Sequence, residues 1–177
     1  TEGCRSPAET RMSTPPPATS TSSSELPALR LKPREERRIA AGHLWIFSNE
    51  VDTARTPLTM FATGAHCRVV ASNDRFLGYA YVNPHALICA RILGRDPGFA
   101  PGKSLIVHRL QVALALREKL YAQPFYRLVY GESDGLAGLV LDRFGDIVVG
   151  QIGTAGMEAM KPAIVEAVDK VLGPKVL

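Results

Sequence analysis

GAHCRVVASNDRFLGYAYVNPHALICARIL (Gly64–Leu93) is the stretch that decides the fold of the first half of this chain. It contains three apolar runs rich in β-branched and aromatic residues, which predict strands over His66–Ala71, Phe76–Val82 and Leu87–Leu93. The Ser72-Asn73-Asp74 turn joins the first two strands in a hairpin, and Asn83-Pro84 breaks the chain before the third. Short strands at this close spacing are typical of a small barrel or sandwich.

The residues before this stretch divide into a polar tail and the first elements of the barrel. Residues 1–27 are mostly Ser, Thr, Pro and Ala. We expect them to be disordered, because such a segment cannot bury enough surface to offset the entropy of ordering it. Beyond the tail the pattern predicts a strand over Leu29–Leu31, a short basic helix over Arg34–Ala41 that ends at Gly42, and a strand over Leu44–Phe47.

A Gly- and Pro-rich segment, GRDPGFAPG (Gly94–Gly102), predicts a domain boundary before the second half of the chain. We expect a helix over Leu105–Ala122 with Ser104 as its cap, and a last helix over Met157–Val171. The first of these helices should bury one face, formed by Ile106, Leu110, Ala113, Leu114, Leu120 and Tyr121. The strands predicted between the two helices are Phe125–Tyr130, Leu136–Leu141 and Ile147–Ile152, with a turn over Asp142–Asp146.

The predicted fold class is therefore α+β: a small β-barrel followed by an antiparallel sheet flanked by helices. The domains are predicted as a tail over 1–27, a barrel over 28–96 and an α+β unit over 103–177. A further strand is expected to begin near Leu177, which predicts that the α+β unit is truncated.

The composition is that of a soluble globular protein with an anionic partner. Hydrophobic residues make up 46% of the chain, and the formal net charge is +4. No apolar run approaches the ~20 residues that span a bilayer, and no secretion signal is recognisable, so we expect a cytoplasmic protein without a membrane partner. The positive charge favours nucleic acid as the partner, although charge alone does not specify it.

Neither a metal site nor a catalytic site is predicted from the residue patterns. The four histidines lie far apart in sequence, and Cys67 and Cys89 sit in apolar strands, where we expect buried thiols. The carboxylates of Glu132, Asp134, Asp142 and Asp146 lie beside glycines, which favours turn chemistry over acid–base catalysis. The glycines of Ile147–Gly156 lack the spacing of a dinucleotide-binding turn, so no bound cofactor is expected there.

A run of basic residues is the strongest candidate for a binding site. It begins at Arg30 and is followed closely by Trp45. Such cations can neutralise phosphates, and an aromatic ring among them can stack on a base. The alternative is a solvated helix face balanced by Glu35 and Glu36, with Trp45 in the core, and residue types alone leave both interpretations open.

Three stretches carry a resemblance to a known family. They are GHLWIFSNEV (Gly42–Val51), the opening stretch Gly64–Leu93 and, most specifically, YRLVYGESDGLAGLVLDRFGD (Tyr126–Asp146). From about Leu29 onward the chain resembles the bacterial large-subunit rRNA cytosine-C5 methyltransferases of the methyltransferase I family.

The resemblance implies a PUA-type RNA-binding barrel, a central α+β domain and a Rossmann-like domain that binds S-adenosylmethionine. Gly64, Val69, Gly78 and Asn83 are similar to the PUA core pattern. Large-subunit rRNA is the partner that the resemblance implies. The RNA contacts that it implies are Lys32, Arg34, Arg37, Arg38 and His43.

The family's methyl-donor pocket and its attacking cysteine have no counterpart in this sequence. Cys67 and Cys89 do not match those motifs, so we expect neither catalysis nor a bound cofactor in this chain, and its status as an enzyme stays open. Two further hypotheses remain: a free-standing, non-catalytic PUA module that binds RNA, and a protein-interaction adaptor that dimerises through its central domain. The oligomeric state is not predicted.

Overall fold

The computed structural model describes residues 26–177. The strands are β1 Ala28–Arg30, β2 Trp45–Phe47, β3 His66–Val70, β4 Phe76–Val82, β5 Ile88–Gly94, β6 Phe125–Tyr130, β7 Leu139–Phe144 and β8 Ile147–Ile152. The helices are α1 Glu36–Ala40, α2 Lys103–Leu120, α3 Ala155–Ala159 and α4 Lys161–Leu172. Single 3₁₀ turns cover Ser48–Glu50, Leu58–Met60 and Gly131–Asp134.

The first five strands form a curled sheet in the order β1-β3-β4-β5-β2, in which only β1 and β3 run parallel. The two outer strands, β1 and β2, do not pair with each other, but the residues that follow each of them do. Leu31 and Val51 form an antiparallel bridge, and the amide of Lys32 donates to the Glu50 carbonyl at 2.9 Å. The apolar interior includes Leu29, Ile39, Ile46, Val69 and Ile92. This sheet confirms the predicted β-rich first half.

Order begins slightly earlier in the chain than predicted. The backbone amide of Arg68 donates to the Pro27 carbonyl at 2.9 Å, and its Nε donates to the Leu26 carbonyl at 3.2 Å. Residues 26 and 27 are thus held against β3, and the prediction that they belong to a disordered tail was wrong. The rest of the predicted tail, residues 1–25, lies outside the described residues.

The second sheet is antiparallel, in the order β6-β7-β8, and α2 and α4 pack against one of its faces. The shared core includes Ile106, Leu110, Leu128, Leu141 and Val168. An α+β unit of this kind was predicted. In addition, Ile147 forms a parallel bridge with Val176, so the last residues of the chain lie beside β8.

Three details of this unit differ from the sequence prediction because of local backbone chemistry. Strand β7 begins at Leu139 and extends through Phe144, since the residues before it form a compact turn in which the Leu136 amide donates to the Gly131 carbonyl at 3.0 Å. The last helix is two helices, and the second begins at Lys161, with Pro162 in its first turn, where a proline ring is tolerated. Ser104 does not cap α2, because the N-cap position is taken by Gly102.

The buried face of α2 is also shorter than predicted. Leu120 and Tyr121 are 66% and 51% exposed, while the buried positions end at Ala113. In the last turn of α2 the contacts are made by Arg117, which bonds to Asp134 and to the Arg127 carbonyl, while Leu120 stays exposed and Tyr121 only rests against Tyr126.

Tyr81 joins the two sheets. Its backbone belongs to β4, but its ring lies in the core of the second unit. Its hydroxyl group donates to the Ala137 carbonyl at 2.9 Å and lies 3.0 Å from Oγ1 of Thr154. Gly156 lies directly against the ring, so the barrel and the α+β unit form one packed body at this point.

None of the helices in residues 26–177 is both long enough and apolar enough to cross a membrane.

Candidate nucleic-acid interface

Four of the five predicted RNA contacts lie on the surface at one end of the barrel. Lys32, Arg34, Arg37 and His43 are exposed, and none of them forms a salt bridge with a described carboxylate. Nζ of Lys32 donates to the Asn49 carbonyl at 2.8 Å. The structure therefore presents unneutralised positive charge on the segment that enters α1 and on α1 itself. We call Lys32, Arg34 and Arg37 the α1 basic cluster.

Arg34 occupies a backbone conformation that is unusual for an arginine. Its φ is +78°, in the left-handed region, within a turn in which the Glu35 amide donates to the Lys32 carbonyl at 3.2 Å. Such a conformation costs on the order of 1 kcal/mol, and residues of this kind concentrate at binding sites.

Arg38, the fifth predicted contact, is engaged within the protein. Its guanidinium group donates to Oε1 of Glu50 from Nη2 at 2.7 Å and from Nε at 3.0 Å, and it also lies over the Phe47 ring. The other carboxylate oxygen of Glu50 accepts from the Phe47 amide at 2.7 Å. Because Glu50 is buried, Arg38 supplies its counter-charge and fastens α1 to the end of β2.

Arg30, which opens the basic run, is held in the same way. Its guanidinium group contacts the carboxylate of Asp74 and donates to the Ala71 carbonyl at 3.2 Å. The hydrogen bond from Arg30 holds the pKa of Asp74 below its ordinary value. Arg30 thus secures the β3–β4 turn.

Trp45 does not lie in the core, so that part of the alternative interpretation was wrong. Its side chain is 42% exposed, and its indole Nε1 donates to Oε1 of Glu132 at 2.8 Å. The same carboxylate oxygen lies 4.0 Å from Nε of Arg91. Sequence reasoning missed this contact between the barrel and the second unit, because the two residues are 87 positions apart and neither belongs to a local motif.

The other acidic residues considered as catalytic groups are paired with cations. Both carboxylate oxygens of Asp134 accept from Arg117 at 2.8 Å, and one also accepts from the Tyr130 amide at 2.7 Å. Asp142 pairs with Arg127 across β6 and β7, and hydrogen bonding to Arg127 lowers the pKa of its carboxyl group. Turn chemistry was therefore the wrong interpretation for Asp142, which lies inside a strand. Asp146 pairs with Lys175 at 2.8 Å.

Cys67 and Cys89 are buried thiols in the barrel core, as predicted. Burial raises the pKa of the Cys67 thiol far above its ordinary value and that of Cys89 to about 11. Both thiols are therefore protonated at neutral pH, which excludes them as nucleophiles in the folded protein.

We expect these two thiols to react with a thiol reagent at pH 8 at least about 100-fold more slowly in the folded protein than in denaturant, because only the thiolate attacks. The measurement uses the Cys4→Ser variant, so that the signal comes from Cys67 and Cys89 alone. Equal rates in the two states would contradict the burial of these thiols.

The first half of the chain is a PUA-like domain. Residues 29–95 match the family profile described as the PUA-like domain. That range begins at the second residue of β1 and contains β2 to β5 and every predicted RNA contact.

The chain is also homologous to ribosomal RNA large subunit methyltransferase I of bacteria. It is 34% identical to that protein of Shewanella denitrificans over 141 residues, which cover 78% of this chain and 35% of the relative. Its identity to the Aliivibrio fischeri protein is also 34%, over 135 residues that cover 75% of this chain and 33% of the relative. The chain thus spans about a third of the length of the curated relatives it matches.

A solved structure shares the fold. A protein from Streptococcus mutans, described as a SAM-dependent methyltransferase, has a TM-score of 0.70 at 16% identity, over 84% of this chain and 39% of that chain. A related structure was determined in complex with SAH and gives the same TM-score. At this identity the likeness shows the arrangement of elements and nothing about ligands.

Proposed function

We propose that this chain is the RNA-docking and connector region of an S-adenosylmethionine-dependent methyltransferase that modifies cytosine C5 of large-subunit rRNA in the cytoplasm. Residues 28–96 are the docking domain and residues 103–177 the connector. The observation that carries the proposal is the α1 basic cluster, which lies exposed on a PUA-like domain and forms no salt bridge with a carboxylate of residues 26–177. The names of the curated relatives support large-subunit rRNA as the target and methyl transfer as the reaction, and the family resemblance of Tyr126–Asp146 is the basis for cytosine C5.

The α1 basic cluster has the chemistry of a phosphate-binding surface. Glu35 and Glu36 lie next to Arg34 and Arg37 in the chain, but none of the three cations forms a salt bridge with a described carboxylate, so neutralising phosphates breaks no ion pair among the described residues. His43, exposed just after α1, adds a ring that can stack on an unpaired base. In this proposal Arg38 positions α1 through Glu50, and only its exposed edge reaches RNA.

The residues described here do not fit S-adenosylmethionine. Two glycine-containing stretches lead from a strand into a helix in residues 26–177, Gly94–Gly102 and Gly150–Gly156. The first follows β5, which is antiparallel to both of its neighbours, and its glycines lack the G-x-G-x-x-G spacing. The glycines of the second stretch are used for packing. Gly156 lies against the Tyr81 ring, and the Gly153 amide donates to the Gly138 carbonyl at 2.8 Å. Strand β8 is antiparallel to β7 and is followed by a five-residue helix, whereas a nucleotide cradle needs a parallel strand and a longer helix. We assign no residue of 26–177 to methyl transfer.

The proposal is tested by measuring the binding of large-subunit rRNA fragments over a salt series. If the cluster contacts about three phosphates, the logarithm of the association constant should fall with the logarithm of the salt concentration with a slope near −3. A flat salt response, or equal binding to a neutral polymer, would count against RNA docking.

A further inference from the structure

A groove runs between the end of β5 and the side of α2, where the barrel meets the second unit. It consists of two cavities of about 410 and 340 Å³ that share one lining residue, Arg109. The larger cavity lies beside Arg95, Phe99 and His108, and the smaller one reaches Leu44 and Val112. We call the two cavities together the α2 groove.

Arg109 is an unneutralised cation at the centre of this groove. It forms no salt bridge with any carboxylate in residues 26–177, and its Nε is buried without a hydrogen-bond partner among them. The guanidinium group of Arg109 packs against Gly135. A Cβ atom added to Gly135 would lie 3.0 Å from Cζ of Arg109. A buried donor without a partner is costly, so the site favours a ligand that accepts a hydrogen bond and carries negative charge.

The lining of the larger cavity favours a nucleotide as that ligand. The smaller cavity is also lined by Glu132 and Asp134, whose carboxylates accept from Trp45 and Arg117. The 410 Å³ cavity has two arginines and a histidine but a single carboxylate, that of Asp96, whose Oδ1 accepts from the Gly98 amide at 2.8 Å. Phe99 places an aromatic ring at the rim and is 42% exposed. An aromatic ring beside excess positive charge is the combination that stacks a base and holds its phosphate.

The groove is also connected to the α1 basic cluster. Nη1 of Arg95 donates to the Ile39 carbonyl at 2.7 Å, and its Nη2 donates to the His43 carbonyl at 2.9 Å. Arg95 therefore spans the distance from the end of α1 to the larger cavity. RNA bound along α1 is thus close enough for an adjoining unpaired nucleotide to enter the groove.

We propose that the α2 groove holds one unpaired nucleotide of the bound RNA, with its phosphate on Arg109 and His108 and its base against Phe99. This inference rests on the proposed function and adds to it: the protein recognises a junction between paired and single-stranded RNA. Unpaired bases are the part of RNA that proteins read most readily, because their faces are free to stack.

The test compares an rRNA hairpin with a blunt end against the same hairpin with a single-stranded extension of roughly four uridines at either end, by fluorescence anisotropy. We expect the extension to raise the affinity of the unaltered chain about fivefold or more, as stacking of one base implies. Arg109→Gln and Phe99→Leu should abolish this gain while binding to the blunt hairpin stays unchanged. Lys119→Gln, which removes an exposed cation from the last turn of α2, should retain the gain.

The possible outcomes separate the two proposals. The groove proposal is overturned if the blunt hairpin binds but the extension does not raise the affinity. It is also overturned if the affinity gained from the extension persists in both Arg109→Gln and Phe99→Leu. In either case RNA docking by α1 stands. If no RNA binds the unaltered chain, both proposals fall together. The thermal midpoint of each variant is measured as well. A midpoint within a few degrees of that of the unaltered chain shows that a loss of affinity does not come from unfolding.

Discussion

Replacing Lys32, Arg34 and Arg37 together by glutamine is expected to weaken rRNA binding by one to two orders of magnitude at physiological salt. Each side chain that neutralises a phosphate releases a counterion, so the slope of the salt dependence should also become shallower by about 3. Stability should change little, because all three side chains are exposed and form no ion pair with the described residues. Anisotropy titrations over a salt series measure both quantities.

The matched control removes the same charge elsewhere. Arg75, Lys119 and Lys170 are exposed cations on other parts of the surface, and the triple glutamine variant has the same net charge as the first. This control variant should bind rRNA only a few fold more weakly, because its lower net charge reduces the long-range electrostatic attraction to RNA. If both triple variants lose affinity equally, binding follows net charge and the α1 basic cluster is not the docking surface.

Gly156→Ala is expected to destabilise the chain by about 3 kcal/mol, which lowers the thermal midpoint by roughly 10 °C for a protein of this size. The added Cβ would lie 2.0 Å from Cγ of the Tyr81 ring. The ring has little freedom to move, because it is buried and its hydroxyl group is bonded to Ala137 and Thr154. The higher helix propensity of alanine offsets only about 1 kcal/mol of this loss in the free energy of unfolding.

Gly150→Ala serves as the control for this substitution. Gly150 lies in β8, is exposed, and has only Cδ2 of Leu141 near its Cβ position, at 3.4 Å. This variant should stay within about 0.5 kcal/mol of the unaltered chain in calorimetry or chemical denaturation. If Gly156→Ala proves equally mild, Tyr81 can be displaced and the joint between the two units is looser than the structure indicates.

The strands and helices could be predicted from sequence wherever local patterns determine them. The hairpin of β3 and β4 follows from alternating apolar residues around Ser72-Asn73-Asp74, and both strands occur where expected. The β7 prediction failed because Leu136 is buried in a turn and was counted as part of a strand. The apolar pattern reports burial, and here a buried turn gave the same signal as a strand.

The candidate site could be predicted only in part, for a similar reason. Residue types identified the cations near α1, but the pairing of Arg38 with Glu50 joins residues 12 positions apart and has no sequence signature. Arg109 gave no signal at all, since one arginine on a long helix is ordinary. Its position becomes informative only when β5 and Gly135 are brought beside it in the fold.

Tyr81 also affects how the molecule responds to load. Its backbone belongs to the sheet of the barrel, and its ring is buried in the core of the second unit. Neither unit can therefore rotate against the other without removing this ring from that core. Because the two units share this buried side chain, heat or denaturant should unfold residues 26–177 in a single cooperative transition. A force applied to the barrel surface would be transmitted to the β6–β8 sheet as movement of the whole body.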